Sequence, residues 1–227
     1  MGGDKARLPW PSAQATEASW RTAPAESVTL LERAASSLGE FCFQVEVAAG
    51  SQVHEAWPSF PDAMPAVPVE GDGSIGAGPL AGLVAALERT RQLRHSGTAV
   101  LACDMPLVEP EDFTPLLESL RAGADVAMWT VQGSGSDEGK EPVDQPLVAV
   151  YGPRVLPAAR AAFDGGARRL VAIGEFPAAD GRHLRVDRLL ATENSFRRLV
   201  NVNTPSDYHG AVAAYLNREP RDRGGAR

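Results

Sequence analysis

A carboxylate stands where a buried strand would give way to a loop. Asp104 follows the apolar run TAVLAC, Thr98 to Cys103, and precedes Met105 and Pro106. In open α/β sheets ligands gather at the carboxyl ends of the strands, so this position suits a group that meets a cation or a phosphate. A lone carboxylate fits Mg2+, which takes one or two protein oxygens and completes its shell with water and substrate phosphates. The structural alternative is a carboxylate that caps the following turn. Near the amino end, GGDK offers Gly2 and Gly3 for close backbone approach and Lys5 as a point charge for a phosphate, against the plainer reading of a charged, flexible terminus. Asn201 and Asn203, two apart in NVNTP, point the same way in an extended stretch and would hold one polar ligand; the alternative is a pair of turn-stabilising amides.

Other chemistries find less support. Gly71, Gly73 and Gly76 satisfy the G-x-G-x-x-G spacing of a dinucleotide-binding oxidoreductase, but Gly78 and Pro79 follow, so the cluster lies ahead of the helix instead of opening it. The histidines His54, His95, His183 and His209 are scattered and form no H-E-x-x-H or Cys/His spacing, and no G-x-S-x-G elbow occurs. Cys42 and Cys103 are too few for a disulfide framework or a Cys-only zinc site, and both sit in apolar stretches where a buried thiol in a reducing cytoplasm is expected.

Composition narrows the partners. With 22 basic and 29 acidic residues the formal charge is −7, the wrong sign for a protein that coats a nucleic-acid backbone. An anionic ligand would need a local positive site. At 227 residues and 44% apolar content, the chain can bury a sizeable core. No apolar run approaches membrane-spanning length, and the start MGGDKARLPWPS carries no apolar signal region, so neither membrane nor export is expected.

The elements that must position these residues alternate along the chain. Val28, Leu31, Ala35 and Leu38 recur at helical spacing between Pro24 and Gly39, and FCFQVEVAA, Phe41 to Ala49, reads as a strand. A short strand near Ala66 to Val69 precedes the turn GDGSIGAG and a helix with Pro79 in its first turn and Leu80, Leu83, Val84 and Leu87 on one face. Thr98 to Cys103 reads as a strand covered on both faces, followed by a helix over Thr114 to Arg121 and strands at Val126 to Val131 and Leu147 to Tyr151. Between the last two, QGSGSDEGKEPVD, residues 132–144, is expected as a surface loop. Helical segments fall within Arg154 to Ile173. A final helix opens with Thr204 as cap, Pro205 at its first position and Asp207 three residues after the cap, and runs to about Leu216. The pattern predicts a single α/β domain over residues 1–216 with a mostly parallel sheet, followed by a disordered basic tail over 217–227.

MGGDKARLPW, GPLAGLVAALE at Gly78 to Glu88, VLACDMPLVEP at Val100 to Pro110, QPLVAVY at Gln145 to Tyr151 and LVNVNTPSDY at Leu199 to Tyr208 occur in that order across nearly the whole chain. In this the sequence resembles the molybdenum cofactor guanylyltransferase family of MobA-like nucleotidyltransferases. The resemblance implies a three-layer Rossmann-like nucleotidyltransferase fold and a soluble cytoplasmic enzyme that transfers GMP from GTP to molybdopterin with Mg2+, releasing pyrophosphate. It implies Lys5 and Asp104 as catalytic groups, Lys5 on the phosphates and Asp104 holding Mg2+. Gly2, Gly3, Asp72 and Gly78 would complete the nucleotide site, with Asp72, or alternatively Glu70, at the nucleobase. Asn201 and Asn203 would meet the acceptor. Molybdenum-insertion proteins and molybdoenzymes are the implied transient partners, with no nucleic acid.

The same resemblance implies that the family's first strand and its leucine-alanine-glycine-glycine loop are missing from this chain, which begins at the Met of the following segment. The family's asparagine after its second strand is replaced here by AAGSQ. Two alternatives follow: a cytidylyltransferase for the same acceptor, from which DMP in place of DQP at Asp104 leans away, and a truncated, non-catalytic nucleotide-binding relative. An NAD(P)-dependent oxidoreductase ranks behind both.

Overall fold

The computed structural model describes residues 5–11, 27–48, 59–60, 78–132, 141–178 and 180–218. In chain order its strands and helices are β1 (Pro9–Pro11), β2 (Ser27–Thr29), α1 (Leu30–Gly39), β3 (Val47–Ala48), β4 (Ser59–Phe60), α2 (Gly78–Leu93), β5 (Thr98–Leu101), α3 (Thr114–Arg121), β6 (Val126–Val131), β7 (Val143–Tyr151), α4 (Leu156–Asp164), β8 (Val186–Leu190), α5 (Glu193–Arg198) and α6 (Pro205–Leu216). They group into two compact units. The first draws on Met1–Phe43, Leu101–Asp112 and Ala191–Arg227, the second on Gln44–Val100 and Phe113–Leu190.

The second unit holds the main sheet, in the order β5-β7-β6-β8. The sheet is mixed: β6 runs parallel to β8 and antiparallel to β7, with an irregularity between Met128 and Trp129. Strand and helix periodicity explain the core. Val126 and Met128 of β6, Ala149 and Tyr151 of β7, Leu80, Leu83, Val84 and Leu87 of α2, and Ala158, Ala159, Ala162 and Phe163 of α4 pack together in one cluster. The intervening Ala127, Val148 and Val150 point to the opposite face and are also buried, so both faces of these central strands are covered. The α/β class expected from the alternation holds, and α2, α3, β6 and α6 fall where the pattern predicts them.

Several expectations are corrected. The helix drawn from Pro24 begins at Leu30, because Thr29 caps it: its Oγ1 accepts from Glu32 N at 3.1 Å while Glu32 Oε2 accepts from Thr29 N at 2.6 Å. That capping box was present in the sequence as Thr-x-x-Glu. Val28, counted on the helix face, instead pairs across an antiparallel ribbon with Trp10. Of the strand drawn over Phe41 to Ala49, only Val47–Ala48 is extended and paired, in parallel with Ser59–Phe60, while Phe43 is 93% exposed and Ala49 lies outside the described residues. TAVLAC forms a strand only to Leu101, and its residues are half-buried; among the described strands β5 is at the edge of the sheet, with β7 as its neighbour. β7 starts at Val143, inside the stretch drawn as loop. β8 and α5 were not foreseen. The expected strand near Ala66 to Val69 and Gly71, Gly73 and Gly76 lie outside the described residues.

In the first unit, Trp10, Leu30, Leu107, Val202, Ala211, Val212, Tyr215 and Leu216 form a separate core. Trp10 is fully buried, with its ring 5.3 Å from Tyr215 and 6.5 Å from Tyr208 between centroids. Aromatic pairs of this kind add about 0.5–1.5 kcal/mol each beyond the area they bury. They bring the amino-terminal ribbon, the segment after Asp104 and α6 to one place. Of the tail expected as disordered, Asn217 caps the last helix, its N–H donating to Ala213 O at 3.1 Å, and Arg218 is engaged as set out below, while residues 219–227 lie outside the described residues.

Candidate functional site

Lys5, Asp104 and Asn203 meet in the first unit. Lys5 opens a short 3-10 turn, Lys5–Arg7, closed by Leu8 N donating to Lys5 O at 3.0 Å, and Leu8 packs against the core that holds Trp10. Asp104 follows β5, and its carbonyl accepts from Val202 N at 2.8 Å, which lays the NVN segment alongside it. Val202 is fully buried while Asn201 and Asn203 are exposed, the alternation of an extended stretch. Lys5 Nζ donates to Asn203 Oδ1 at 2.7 Å and lies 3.8 Å from Asp104 Oδ2. Residues far apart in sequence are thereby assembled into one polar cluster. Asn201 is exposed.

Asp104 is the strained member electrostatically. Its Oδ1 is buried without a hydrogen-bond partner. Burial pushes its carboxyl above the usual aspartate range, and the Lys5 ammonium only partly offsets this. An orphaned carboxylate oxygen of this kind is what a hard cation would satisfy. Among the described residues no group of three or more His, Cys, Asp or Glu side chains is disposed around a metal. A cation here would therefore rest on Asp104 with water and ligand oxygens, the arrangement Mg2+ favours. Cys103 beside it is half-buried, as is Cys42, whose thiol burial pushes up to about 11. That makes Cys42 a poor nucleophile at neutral pH.

The chain after Asp104 is held by residues that sequence reasoning missed. Arg33 on α1 donates from Nε to Pro106 O at 3.2 Å and from Nη1 to Ser37 Oγ at 2.8 Å, while Ser37 Oγ donates to Val108 O at 3.2 Å. Arg33 Nη2 lies 2.7 Å from Glu109 Oε2, and Arg218 Nη1 donates to Glu109 Oε1 at 2.8 Å. Arg198 closes the far end on Asp112, Nε to Oδ2 at 2.8 Å. The available signal was an arginine and a serine on the face of α1 that also buries Leu30, and a glutamate in the apolar string PLVEP.

Gly78 belongs to the second unit, and a backbone requirement accounts for its glycine. Its φ is +66°, and a Cβ there would lie 3.1 Å from Arg168 O and 3.3 Å from Arg168 Cβ. Gly78→Ala is expected to cost about 1–2 kcal/mol through left-handed strain and crowding. A shift in the urea midpoint measures this, and an unchanged midpoint would show that the turn relaxes freely. Gly2, Gly3, Asp72 and Glu70 lie outside the described residues.

Comparison with known proteins places this geometry in context. Residues 1–186 match the family model described as MobA-like NTP transferase domain. A molybdenum cofactor guanylyltransferase from Pseudomonas putida is 37% identical over 128 residues, 56% of each chain, so the match spans little more than half of that relative. A probable molybdenum cofactor guanylyltransferase from Chloroflexus aggregans is 34% identical over 193 residues, 82% of this chain and 80% of its own. In fold, the chain resembles molybdopterin-guanine dinucleotide biosynthesis protein A from Archaeoglobus fulgidus, with TM-score 0.56 at 21% identity over 82% of this chain and 85% of that one. It also resembles 2-C-methyl-D-erythritol 4-phosphate cytidylyltransferase from Thermus thermophilus, with TM-score 0.54 at 15% identity over 82% and 88%.

Proposed function

The chain belongs to the MobA-like NTP transferase family, and from that premise we propose that it transfers GMP from GTP to molybdopterin in a Mg2+-dependent reaction that releases pyrophosphate. The observation that carries this reading is the Lys5 ammonium 3.8 Å from a half-buried Asp104 carboxylate with one orphaned oxygen. A triphosphate needs such a pair: one fixed cation for its oxygens and one carboxylate to hold the ion that accompanies it. The names of the curated relatives favour guanylyl over cytidylyl transfer.

In this mechanism the terminal phosphate oxygen of the acceptor attacks the α-phosphorus of GTP in line, and the bond to pyrophosphate breaks. The protein does little covalent work; it orients two anions that repel each other. Lys5 pairs with the phosphate oxygens, and Asp104, through Oδ1, would hold Mg2+. When bound, Mg2+ neutralises charge on the phosphates and the leaving group. Asn201 and Asn203 offer amides to the acceptor, and Asp72, or Glu70, reads the base. Molybdenum-insertion proteins and molybdoenzymes would receive the product, in a cytoplasmic setting. No described helix is long and apolar enough to cross a membrane.

The test is calorimetric. GTP is expected to bind with Mg2+ present and about tenfold or more weakly without it, and CTP to compete poorly. A clear preference for CTP would reassign the reaction to cytidylyl transfer. Absence of binding by either nucleotide would favour a non-catalytic relative.

A further inference from the structure

We propose that Asp207 is a positioning residue for Lys5 that acts through Asn203. The inference rests on reading Lys5 as the ammonium that meets the nucleotide phosphates. Asp207 sits at the third position of α6 and completes a capping box with Thr204: its Oδ2 accepts from Thr204 N at 2.7 Å, and Thr204 Oγ1 accepts from Asp207 N at 3.2 Å. Helix capping would need no more. The same Oδ2 also accepts from Asn203 N at 3.1 Å, one residue further upstream. Asn203 is fixed on its other side by Val202, fully buried and donating its N–H to Asp104 O. Its backbone is thus pinned from both directions, and its amide oxygen is left facing Lys5 Nζ at 2.7 Å.

The consequence is preorganisation. A lysine side chain is a flexible four-carbon stem, and an unheld ammonium would sample many positions before meeting a phosphate. Asn203 is a neutral acceptor: it orients the ammonium without neutralising it, and it yields to an anionic oxygen, which binds a cation more strongly. Asp104 at 3.8 Å biases the direction but is beyond hydrogen-bonding range. Asp207 supplies the rigidity behind this contact, its carboxylate bonding to the backbone of Asn203 and Thr204.

The test uses the full chain and the variants Asp207→Ala, Asp207→Glu, Asn203→Ala and Asp207→Ala combined with Asn203→Ala. Two readouts are followed: the rate of Lys5 acetylation by acetic anhydride without ligands, read by mass spectrometry, and kcat and KM for GTP. Losing one orienting hydrogen bond is worth about fivefold. Lys5 labelling is therefore expected to rise about fivefold in Asp207→Ala and in Asn203→Ala, with no further rise in the double variant. kcat/KM for GTP should fall by about the same factor with the same non-additivity. Asp207→Glu, which keeps a carboxylate at the third helical position, should restore most of both. The proposal is overturned if Asp207→Ala lowers the melting temperature while Lys5 labelling stays at the wild-type rate, for then Asp207 is a helix cap only. It is equally overturned if the two substitutions multiply. Should the wild-type chain fail to turn over GTP, the functional reading fails, and the labelling pattern still decides whether Asp207 governs Lys5.

Discussion

An Asp104→Asn protein is expected to lose about 10²–10³-fold in kcat with GTP, the usual loss when one electrostatic stabiliser is removed from an active site, while becoming no less stable at neutral pH. The two halves have one cause. Oδ1 is buried and unpartnered, so the charged form is held at a desolvation cost that the Lys5 ammonium only partly offsets, and the carboxyl titrates above its ordinary range. A group whose folded pKa is raised binds more protons in the folded than in the unfolded state. Its contribution to stability is therefore full below the unfolded value and is lost as pH rises through the folded one. At neutral pH the wild-type chain carries that cost and the Asn variant does not. Thermal melts should show Asp104→Asn at or above the wild type at pH 7, with the difference shrinking in acid. The same proton competes with a bound cation, so Mg2+ affinity of the wild type should weaken on acidification at a pH above that of an ordinary aspartate. Undiminished turnover by Asp104→Asn across a Mg2+ titration would remove Asp104 from the reaction.

The legible part of this molecule is local. α3, β6 and α6 were readable because their signals lie within a few residues: a proline in the first turn, a continuous apolar run, a capping box. Lys5, Asp104 and Asn203 were each singled out by residue type, yet their meeting is a tertiary fact made by the Trp10 core and by Val202 N on Asp104 O. The extent of β5 was misread because an apolar run does not reveal how many neighbours its strand has, and among the described strands β5 has β7 alone. Asp207 was legible as a cap; its extra bond to Asn203 N was not, since nothing in NTPSD distinguishes one accepted hydrogen bond from two. Arg33 and Glu109 stayed hidden for a general reason: a charged residue on an apolar face declares burial only when its partner, here 76 positions away on the numbering of the chain, is known.

Those two residues carry the largest expected effect on stability. Glu109→Gln should destabilise the protein by about 3–5 kcal/mol, the cost of removing one partner from a buried ion pair. The side chain of Glu109 is 5% exposed, against 10% for Arg33 and 17% for Arg218, so a neutral amide would leave two guanidiniums facing each other with little access to water. Burial pushes the Glu109 carboxyl up while both arginines pull it down, and charges taken this far out of water return little net stability from their attraction. The network is therefore a costly way to gain stability, and its purpose has to be sought in what it holds. Arg33 and Ser37 occupy the carbonyls of Pro106 and Val108, and Arg218 reaches Leu107 O at 3.4 Å, so the chain directly after Asp104 is gripped at successive peptides. Combining Arg33→Met with Glu109→Gln separates the two roles. Most of the lost stability should return, because the guanidinium that still loses Glu109 is Arg218, the most exposed of the three, and the cycle should be non-additive by about 1–3 kcal/mol. Activity should not return with it, since Pro106 O loses its donor and the segment that aims Asp104 is released. Urea midpoints for the four proteins, with GTP turnover measured well below each transition, check both parts. Recovery of turnover alongside stability would mean that the network serves the fold alone.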